Sequence, residues 1–232
     1  GGLPLSAGCA TINKVCGSGL QAVMFARREI LVGDAETLVA GGMESMTNAP
    51  YVLPQARGGY RMGNGQIIDS MIHDGLWDPY DNLHMGHCGD AVAAKYNFTR
   101  EDQDKFAADS YKRAQAAQQE GRFKEEIIPV TVKTKKGDTL VDEDEEPKRV
   151  QLDKMAGLRP AFSKEGTVTA ANASTLNDGA AALLVTSAEN AKAKGWTVLA
   201  RIIADSTAAV EPKWFTIAPV HALAKLYEKT KS

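Results

Sequence analysis

The sequence predicts an α/β fold, because segments with strand character alternate with segments of helical periodicity. Apolar residues recur at helical spacing over residues 20–31, and this stretch ends at Gly33. A short apolar strand is predicted at residues 38–40, and the run 180–185 is apolar enough for a buried core strand. Another strand is predicted at residues 199–204.

Composition and charge argue against nucleic-acid-binding, membrane-spanning and disulfide-rich proteins. The formal net charge is −2 over 232 residues, so no extended basic field for nucleic acid is expected. No apolar run is long enough to predict a membrane span. Three cysteines without paired spacing favour a reducing compartment over a disulfide framework. We therefore expect a globular protein with neither a nucleic-acid nor a membrane partner.

Cys16 is the first candidate for chemistry. It lies between a predicted strand end at residues 12–15 and a small-residue turn at residues 17–19, just before the predicted helix. Helix N-termini favour anions and lower cysteine pKa values, which favours the nucleophilic thiolate. A lone cysteine is more often a small buried residue, and the spacing by itself slightly favours that interpretation.

Residues 48–173 have a different character from the segments on either side. Glycine and proline predict a loop from residue 48 to about residue 65. Before this segment, Gly41 and Gly42 predict a tight turn after the strand at residues 38–40. Short helical character is predicted at residues 67–72, and strand character at residues 127–133. Thr99 is predicted to cap a helix, with Asp102 in the reciprocal capping position.

Four motifs, taken in chain order, resemble those of the thiolase family. They are NKVCGSG at residues 13–19, VAGGMESMTNAPY at residues 39–51, LHMG at residues 83–86 and TVTAANASTLNDGAAA at residues 167–182. Together they cover nearly the whole chain. Residues 145–150 and 208–212 most resemble the mitochondrial-type acetoacetyl-CoA thiolases. On this resemblance Cys16 is expected to be the nucleophile that accepts the acyl group.

The resemblance also implies an architecture, a layered α-β-α-β-α core with an inserted loop domain. Residues 1–47 and 174–197 would form part of the N-terminal core half, and residues 198–232 the start of the C-terminal core half. Residues 48–173 would form the inserted loop domain, which carries coenzyme A and tetramer contacts. Thiolases have further strands before this point and catalytic histidine and cysteine motifs after it. We therefore expect the middle portion of a thiolase, an incomplete core with little or no turnover by itself.

The activity that the resemblance implies is acyl transfer through an acetyl group on Cys16. Two acetyl-CoA molecules would condense reversibly to acetoacetyl-CoA, or a short 3-ketoacyl-CoA would undergo thiolysis. Coenzyme A thioesters are then substrates, and no tightly bound cofactor is expected. The subgroup further implies a mitochondrial homotetramer of fatty acid and ketone body metabolism, with the cytoplasm as the alternative location.

Three alternatives to this activity remain open at the level of sequence. A β-ketoacyl synthase shares the fold and the cysteine nucleophile, but the GGMESM segment and the coenzyme A loop argue against it. A long-chain 3-ketoacyl-CoA thiolase would differ in substrate length. A non-catalytic acyl-CoA-binding protein would bind coenzyme A and leave Cys16 without an acyl group.

Coenzyme A carries phosphate groups, so a site for it needs cations at its mouth. The resemblance implies contacts from Arg149, Val150, Gln151, Lys154, Ser174, His84 and Met85. Pro147 and Gln151 stand where tyrosine and aspartate are expected, which leaves the geometry at the adenine end open. For the cations the alternative is an ordinary solvated surface, and for His84 it is a satisfied polar histidine beside a helix start.

The sequence offers candidates for two kinds of metal site. His84, His87 and Cys88 form a run that a metal could use, but structural sites need a second ligand cluster, so this interpretation is disfavoured. The resemblance instead implies a potassium site. Its ligands would be the Tyr111 phenol and the carbonyl oxygens of Ala170, Ala171 and Ala173.

Overall fold

A computed structural model describes residues 2–231, and the chain divides into two compact units. The first unit comprises the residues up to Trp77 together with those from Leu176 onward, and the second comprises Asp78–Thr175. The domain boundaries expected from the sequence stay a prediction.

Six α-helices and eight strands make up the described chain. The helices are α1 (Ser18–Val32), α2 (Met85–Tyr96), α3 (Arg100–Gln119), α4 (Glu146–Arg149), α5 (Ala188–Lys194) and α6 (Ala218–Thr230). The strands are β1 (Thr37–Glu44), β2 (Tyr51–Val52), β3 (Ile68–Asp69), β4 (Trp77–Asp78), β5 (Leu83–His84), β6 (Val130–Thr134), β7 (Gly137–Val141) and β8 (Gly179–Thr186). Short 3₁₀ segments lie at Ala56–Gly58, Leu152–Gly157 and Pro212–Ile217, and a π-helical turn lies at Met71–Leu76.

The centre of the first unit is an antiparallel pair of strands that are far apart in sequence. β1 pairs with β8 in a register that runs from Thr37 opposite Thr186 to Glu44 opposite Gly179. α1 packs mainly against β1. The buried core between them consists of Ala26, Ala40 and Val185.

Gly41 and Gly42 lie inside β1, so the tight turn predicted there is wrong. A Cβ on Gly41 would collide with the carbonyl oxygen of Ala181 across the ladder. A Cβ on Gly42 would lie 3.3 Å from the Cα of Gly19 in α1. The two glycines are therefore needed for close backbone approach within a strand, which a sequence pattern does not distinguish from a turn.

The helix predicted at residues 20–31 is confirmed as α1, which ends at Gly33 in the left-handed conformation with a φ of 82°. The strands predicted at residues 12–15 and 199–204 are wrong. A strand needs a hydrogen-bonded neighbour, and within residues 2–231 no strand lies beside either segment.

The apolar run 180–185 forms β8, as predicted, but it is not a buried core strand. Leu183 and Leu184 are 54% and 57% exposed, and only Val185 of this run is buried. The reason is that the ladder described here has two strands, and α1 covers mainly β1.

The other short elements of the sequence prediction agree in part. In the first unit, residues 48–65 are mostly loop. The helix predicted at residues 67–72 is confirmed only at residues 70–72, because β3 pairs with β2 before the π-helical turn begins. In the second unit, the strand predicted at residues 127–133 is confirmed as β6, which forms a hairpin with β7. Pairing with a partner strand decided the outcome in both cases.

The second unit contains α2 and α3, and α3 is the longest helix of the described chain. Thr99 caps α3: its hydroxyl accepts from the Asp102 N–H at 3.0 Å, and the Asp102 carboxylate accepts from the Thr99 N–H at 3.1 Å. The predicted capping box is thus confirmed. Hydrogen bonds from Thr99 hold the pKa of Asp102 below its ordinary value. Across residues 2–231, no helix is both long and apolar enough to cross a membrane.

Asp205 ties the later part of the first unit to α1. Its carboxylate contacts the guanidinium groups of Arg27 at 3.1 Å and Arg28 at 2.7 Å, while Arg27 also donates to the Ile203 carbonyl. Burial raises the pKa of Asp205, but the hydrogen bond from Arg28 and the nearby positive charges outweigh this, so the pKa is below its ordinary value. The carboxylate therefore stays ionised in the folded protein through mildly acidic pH.

We expect the substitution Asp205→Asn to lower the free energy of unfolding at neutral pH by about 1–2 kcal/mol, because both arginines lose a charged partner. The depressed pKa stabilises the fold above about pH 4, the unfolded value, and this contribution disappears as the pH falls through the folded pKa. The difference between variant and wild type should therefore shrink in acid.

Urea unfolding at neutral and acidic pH measures this difference. Asp34→Asn, which changes an exposed carboxylate of the same unit, is the matched control and should leave the midpoint unchanged. An equal loss in both variants, or a loss that does not depend on pH, would contradict the assignment.

Candidate active site

Cys16 is exposed and lies at the end of a tight loop that leads into α1. The side chain of Ser18 donates to the Val15 carbonyl at 2.7 Å and accepts from the Lys14 N–H at 2.7 Å. Asn13 accepts from the Val15 N–H at 2.8 Å. These local bonds fix the backbone next to Cys16. Because Cys16 is exposed, the alternative of a cysteine buried as a small apolar residue is wrong for the described chain.

Val15, the residue before Cys16, has a φ of 49°. A β-branched residue in the left-handed region is strained, by about 1–3 kcal/mol. Val15 is held there by the hydrogen bond that its N–H donates to Asn13 and by the one that its carbonyl accepts from Ser18. Strain of this kind concentrates at functional positions, which supports a site at Cys16.

The start of α1 rests directly on β1. Gly19, three residues after Cys16, faces Gly42, and the two backbones meet with no side chain between them. This contact sets the depth at which the helix N-terminus, and the loop before it, sit on the strand pair.

Asp178 holds the end of β1 to the start of β8. Its carboxylate accepts from the Thr47 N–H at 2.9 Å and from the Ser45 hydroxyl at 3.1 Å. The backbone hydrogen bond from Thr47 is the main cause of a lowered pKa at Asp178. This role of Asp178 was not predicted from the sequence, although an aspartate just before the small residues of β8 is a visible signal.

His84 caps α2 in the second unit. Its Nδ1 accepts from the Gly86 N–H at 3.0 Å, so the proton of the neutral ring is on Nε2. The ring stacks on Phe162 with 4.7 Å between centroids. Burial, and then the charge of His87, lower the pKa of His84. Met85, the first residue of α2, is half-buried beside it.

The predicted coenzyme A residues near residue 150 lie in one stretch, in which Val150 is half-buried and the other three are exposed. Arg149 ends α4, where it forms an ion pair with Glu145, and Lys154 lies exposed in the following 3₁₀ segment. Val150 and Gln151 connect the two. Two side chains of α3 hold this stretch: Gln115 donates to the Pro147 carbonyl at 2.6 Å and Gln118 donates to the Asp144 carbonyl at 2.8 Å. Pro147 is buried at the start of α4, a position that suits proline.

The turn at residues 169–173 is fixed to α3 by a chain of polar side chains. Asn172 accepts from the Thr169 N–H at 2.7 Å and donates to Asp104 at 2.9 Å. Asp104 in turn pairs with Arg100 at 2.7 Å. The turn carries Ala170, Ala171 and Ala173 and is followed by Ser174, which is exposed, while Tyr111 is half-buried on the same helix as Asp104.

The structure thus groups the predicted site residues by unit. Cys16 belongs to the first unit, and the coenzyme A and potassium residues all belong to the second. Among residues 2–231, no three histidine, cysteine or acidic side chains cluster as ligands of a metal ion would.

Residues 1–189 match the family model for the thiolase N-terminal domain. The chain belongs to the thiolase family. It is 53% identical to an acetyl-CoA acetyltransferase of Cupriavidus necator over 95% of this chain and 57% of that protein. It is 52% identical to the mitochondrial acetyl-CoA acetyltransferase of Homo sapiens, over 95% of this chain and 52% of that protein.

A solved structure of another thiolase has the same fold as this thiolase chain. The Acat5 thiolase of Ascaris suum, solved in complex with coenzyme A, superimposes with a TM-score of 0.90 at 41% identity, over 98% of this chain and 58% of that one. The predicted α/β thiolase-like fold is thereby confirmed. The chain spans somewhat more than half the length of these relatives.

We expect acid to weaken the cap that His84 makes on α2. Because the folded pKa is lowered, the unfolded chain takes up the proton first, so stability is full above about pH 6.5 and falls as the pH drops below it. Asn caps helices well and does not titrate, so His84→Asn should remove part of this pH dependence. Urea unfolding at about pH 7.5 and about pH 5.5 measures it.

His221→Asn, at an exposed position in α6, is the control and should keep the wild-type dependence. The cap assignment fails if both histidine variants respond to acid as the wild type does.

We also expect Val15→Asn to raise the free energy of unfolding by about 1 kcal/mol, because asparagine tolerates the left-handed conformation better than valine does. Val15 is 57% exposed, so little packing is lost. Thermal and urea unfolding give the change. Val198→Asn is the control, since Val198 is 63% exposed and has no positive φ; an equal effect at both positions would rule out strain at Val15.

Proposed function

We propose that this chain is part of an acetyl-CoA acetyltransferase and that its acyl transfer runs through Cys16. The observation that carries the proposal is the exposed thiol of Cys16 on a strained loop, at the start of a helix, in a chain of the thiolase family. Relatives about half identical to it are named acetyl-CoA acetyltransferases.

The proposed chemistry has two half-reactions. The Cys16 thiolate attacks the carbonyl carbon of an acyl-CoA thioester, the bond to coenzyme A sulfur breaks, and coenzyme A takes a proton as it leaves. A second acetyl-CoA then loses a methyl proton to a general base, and the resulting carbanion attacks the carbonyl carbon of acetyl-Cys16. The bond to the Cys16 sulfur breaks, which forms acetoacetyl-CoA and regenerates the thiolate. Covalent catalysis divides one difficult step into two. The positive end of α1 favours the negative charge that develops beside Cys16.

Coenzyme A is the proposed partner of the second unit. Arg149 and Lys154 are exposed and would meet its phosphate groups, with Val150 and Gln151 between them. Ser174 would hydrogen-bond a pantetheine amide. His84 would donate from Nε2 to a carbonyl near the thioester, with Met85 in apolar contact. Support for this comes from the family membership and from the neighbouring thiolase that was solved with coenzyme A.

A potassium ion is proposed at the turn that follows Thr169. The donor set consists of a phenol oxygen and three carbonyl oxygens, the oxygen ligands that hard cations prefer. Tyr111, Ala170, Ala171 and Ala173 would hold the ion. The ion would stabilise the turn that precedes Ser174. The hydrogen bonds of Asn172 to Thr169 and to Asp104 also hold this turn against α3.

The larger setting is also proposed. Residues 48–173 would be an inserted loop domain between residues 1–47 and 174–197 of one core half, with residues 198–232 opening the other. We propose a homotetramer of ketone body and fatty acid metabolism. A mitochondrial location is supported by relatives from Homo sapiens and Bos taurus that are named mitochondrial, although bacterial relatives are as similar, which keeps the cytoplasm as the alternative.

Intact-mass spectrometry after mixing with acetoacetyl-CoA tests the first half-reaction. We expect one acetyl adduct on the wild-type chain and none on Cys16→Ala. Cys9→Ala is the matched control, because Cys9 is also exposed, and it should keep the adduct. An adduct that survives in Cys16→Ala, or a wild-type chain that acquires none, would overturn acyl transfer through this residue.

A further inference from the structure

Asp90, in the second turn of α2, takes three hydrogen bonds from a single loop, residues 161–168. The hydroxyl of Ser163 donates to Oδ2 at 2.9 Å, and the N–H groups of Thr167 and Val168 donate to Oδ1 at 2.8 and 3.0 Å. The backbone closes the same loop, since the Ala161 N–H donates to the Val168 carbonyl at 2.8 Å. The Asp90 carboxylate therefore binds the loop near its start, at Ser163, and at its end, at Thr167 and Val168, and so holds both parts against α2.

This loop carries Phe162, directly before Ser163. The Phe162 ring stacks on His84 with 25° between the planes, and it meets the His87 ring edge-on at 6.0 Å. It also fills the space that a side chain at Gly86 would need. The face of the His84 ring is thus covered by Phe162, and the next residue in the loop, Ser163, is bound to Asp90.

We propose that Asp90 is a positioning residue for acyl-thioester binding: it holds loop 161–168 so that Phe162 stays stacked on His84 and the His84 ring keeps Nε2 available as a donor. Asp90 acts through Phe162 and does not itself touch the substrate. The proposal rests on the proposed function in taking His84 as a contact of the coenzyme A thioester.

A carboxylate suits this task better than the other polar side chains. It accepts at both oxygens and donates at neither, so it can take one hydroxyl and two backbone N–H groups at once. Asn at this position keeps Oδ1 for Thr167 and Val168 and can donate to the Ser163 oxygen. Ala removes all three bonds and leaves two N–H groups without their partner.

The ring protons of histidine report on this arrangement directly, because a stacked phenylalanine ring shifts their NMR signals. The chain has four histidines, so the His84 signal can be assigned by substitution. We expect Asp90→Ala to move the His84 signals in the direction that Phe162→Leu moves them. Asp90→Asn should restore most of the wild-type position, and Glu165→Ala, which removes an exposed carboxylate of the same loop, should not move them.

His84 signals that stay at their wild-type position in Asp90→Ala, while Phe162→Leu moves them, would overturn the proposal. If Asp90→Ala does not fold, Ser163→Ala takes its place, since it removes only the bond beside Phe162. A smaller movement of the His84 signals in the same direction is then expected, and no movement would again overturn the proposal.

Coenzyme A binding separates this inference from the function on which it rests. By calorimetry we expect Asp90→Ala to bind coenzyme A roughly threefold to tenfold more weakly than the wild type, the scale of one aromatic contact, and Glu165→Ala to bind as the wild type does. A wild-type chain that binds no coenzyme A would overturn the proposed function, while the NMR result would still decide the role of Asp90 in holding Phe162. Equal affinity of Asp90→Ala and wild type would overturn the positioning role.

Discussion

The antiparallel pairing of β1 with β8 is the constraint on which the first unit depends. It joins residues 37–44 to residues 179–186, so the chain between them leaves and returns at one end of a single ladder. Gly41 has no side chain, so the backbone of β1 can approach Ala181 of β8 closely. Gly42 likewise lets the backbone of α1 at Gly19 pack directly against the backbone of β1. The start of the helix that follows Cys16 is therefore placed by main-chain packing, which is less adjustable than side-chain contact.

Single carboxylates fasten segments that are distant in sequence. Asp178 and Asp205 do so in the first unit, and Asp90 and Asp104 do so in the second. An ionised carboxylate accepts several hydrogen bonds at once, so one residue can organise a whole turn. Because the pKa values of Asp178 and Asp205 are lowered, their contribution lasts through mildly acidic pH and disappears only in stronger acid.

The residues proposed for chemistry stand where the local geometry is unusual. Val15 is strained immediately before Cys16, and His84 uses a ring nitrogen, not an oxygen, to cap α2. Neither feature optimises the stability of its own segment. In both, local hydrogen bonds fix the position: those with Asn13 and Ser18 hold the loop before Cys16, and the one from the Gly86 N–H holds the His84 ring, as binding and catalysis require.

Local features of this thiolase could be predicted from the sequence by itself, because the helix at residues 20–31 and the capping box at Thr99 depend on neighbours along the chain. Four motifs in chain order together identified the family. The strand assignments at residues 12–15 and 199–204 failed, because a strand exists only beside a partner. The anchoring role of Asp90 also needed the tertiary structure, since its partners lie 73 to 78 residues away in sequence. Sequence thus determined the family, the helix α1 and the capped start of α3, and it singled out Cys16 as the candidate nucleophile. Strand pairing, exposure and anchoring contacts were decided by packing between distant segments, which no local pattern encodes.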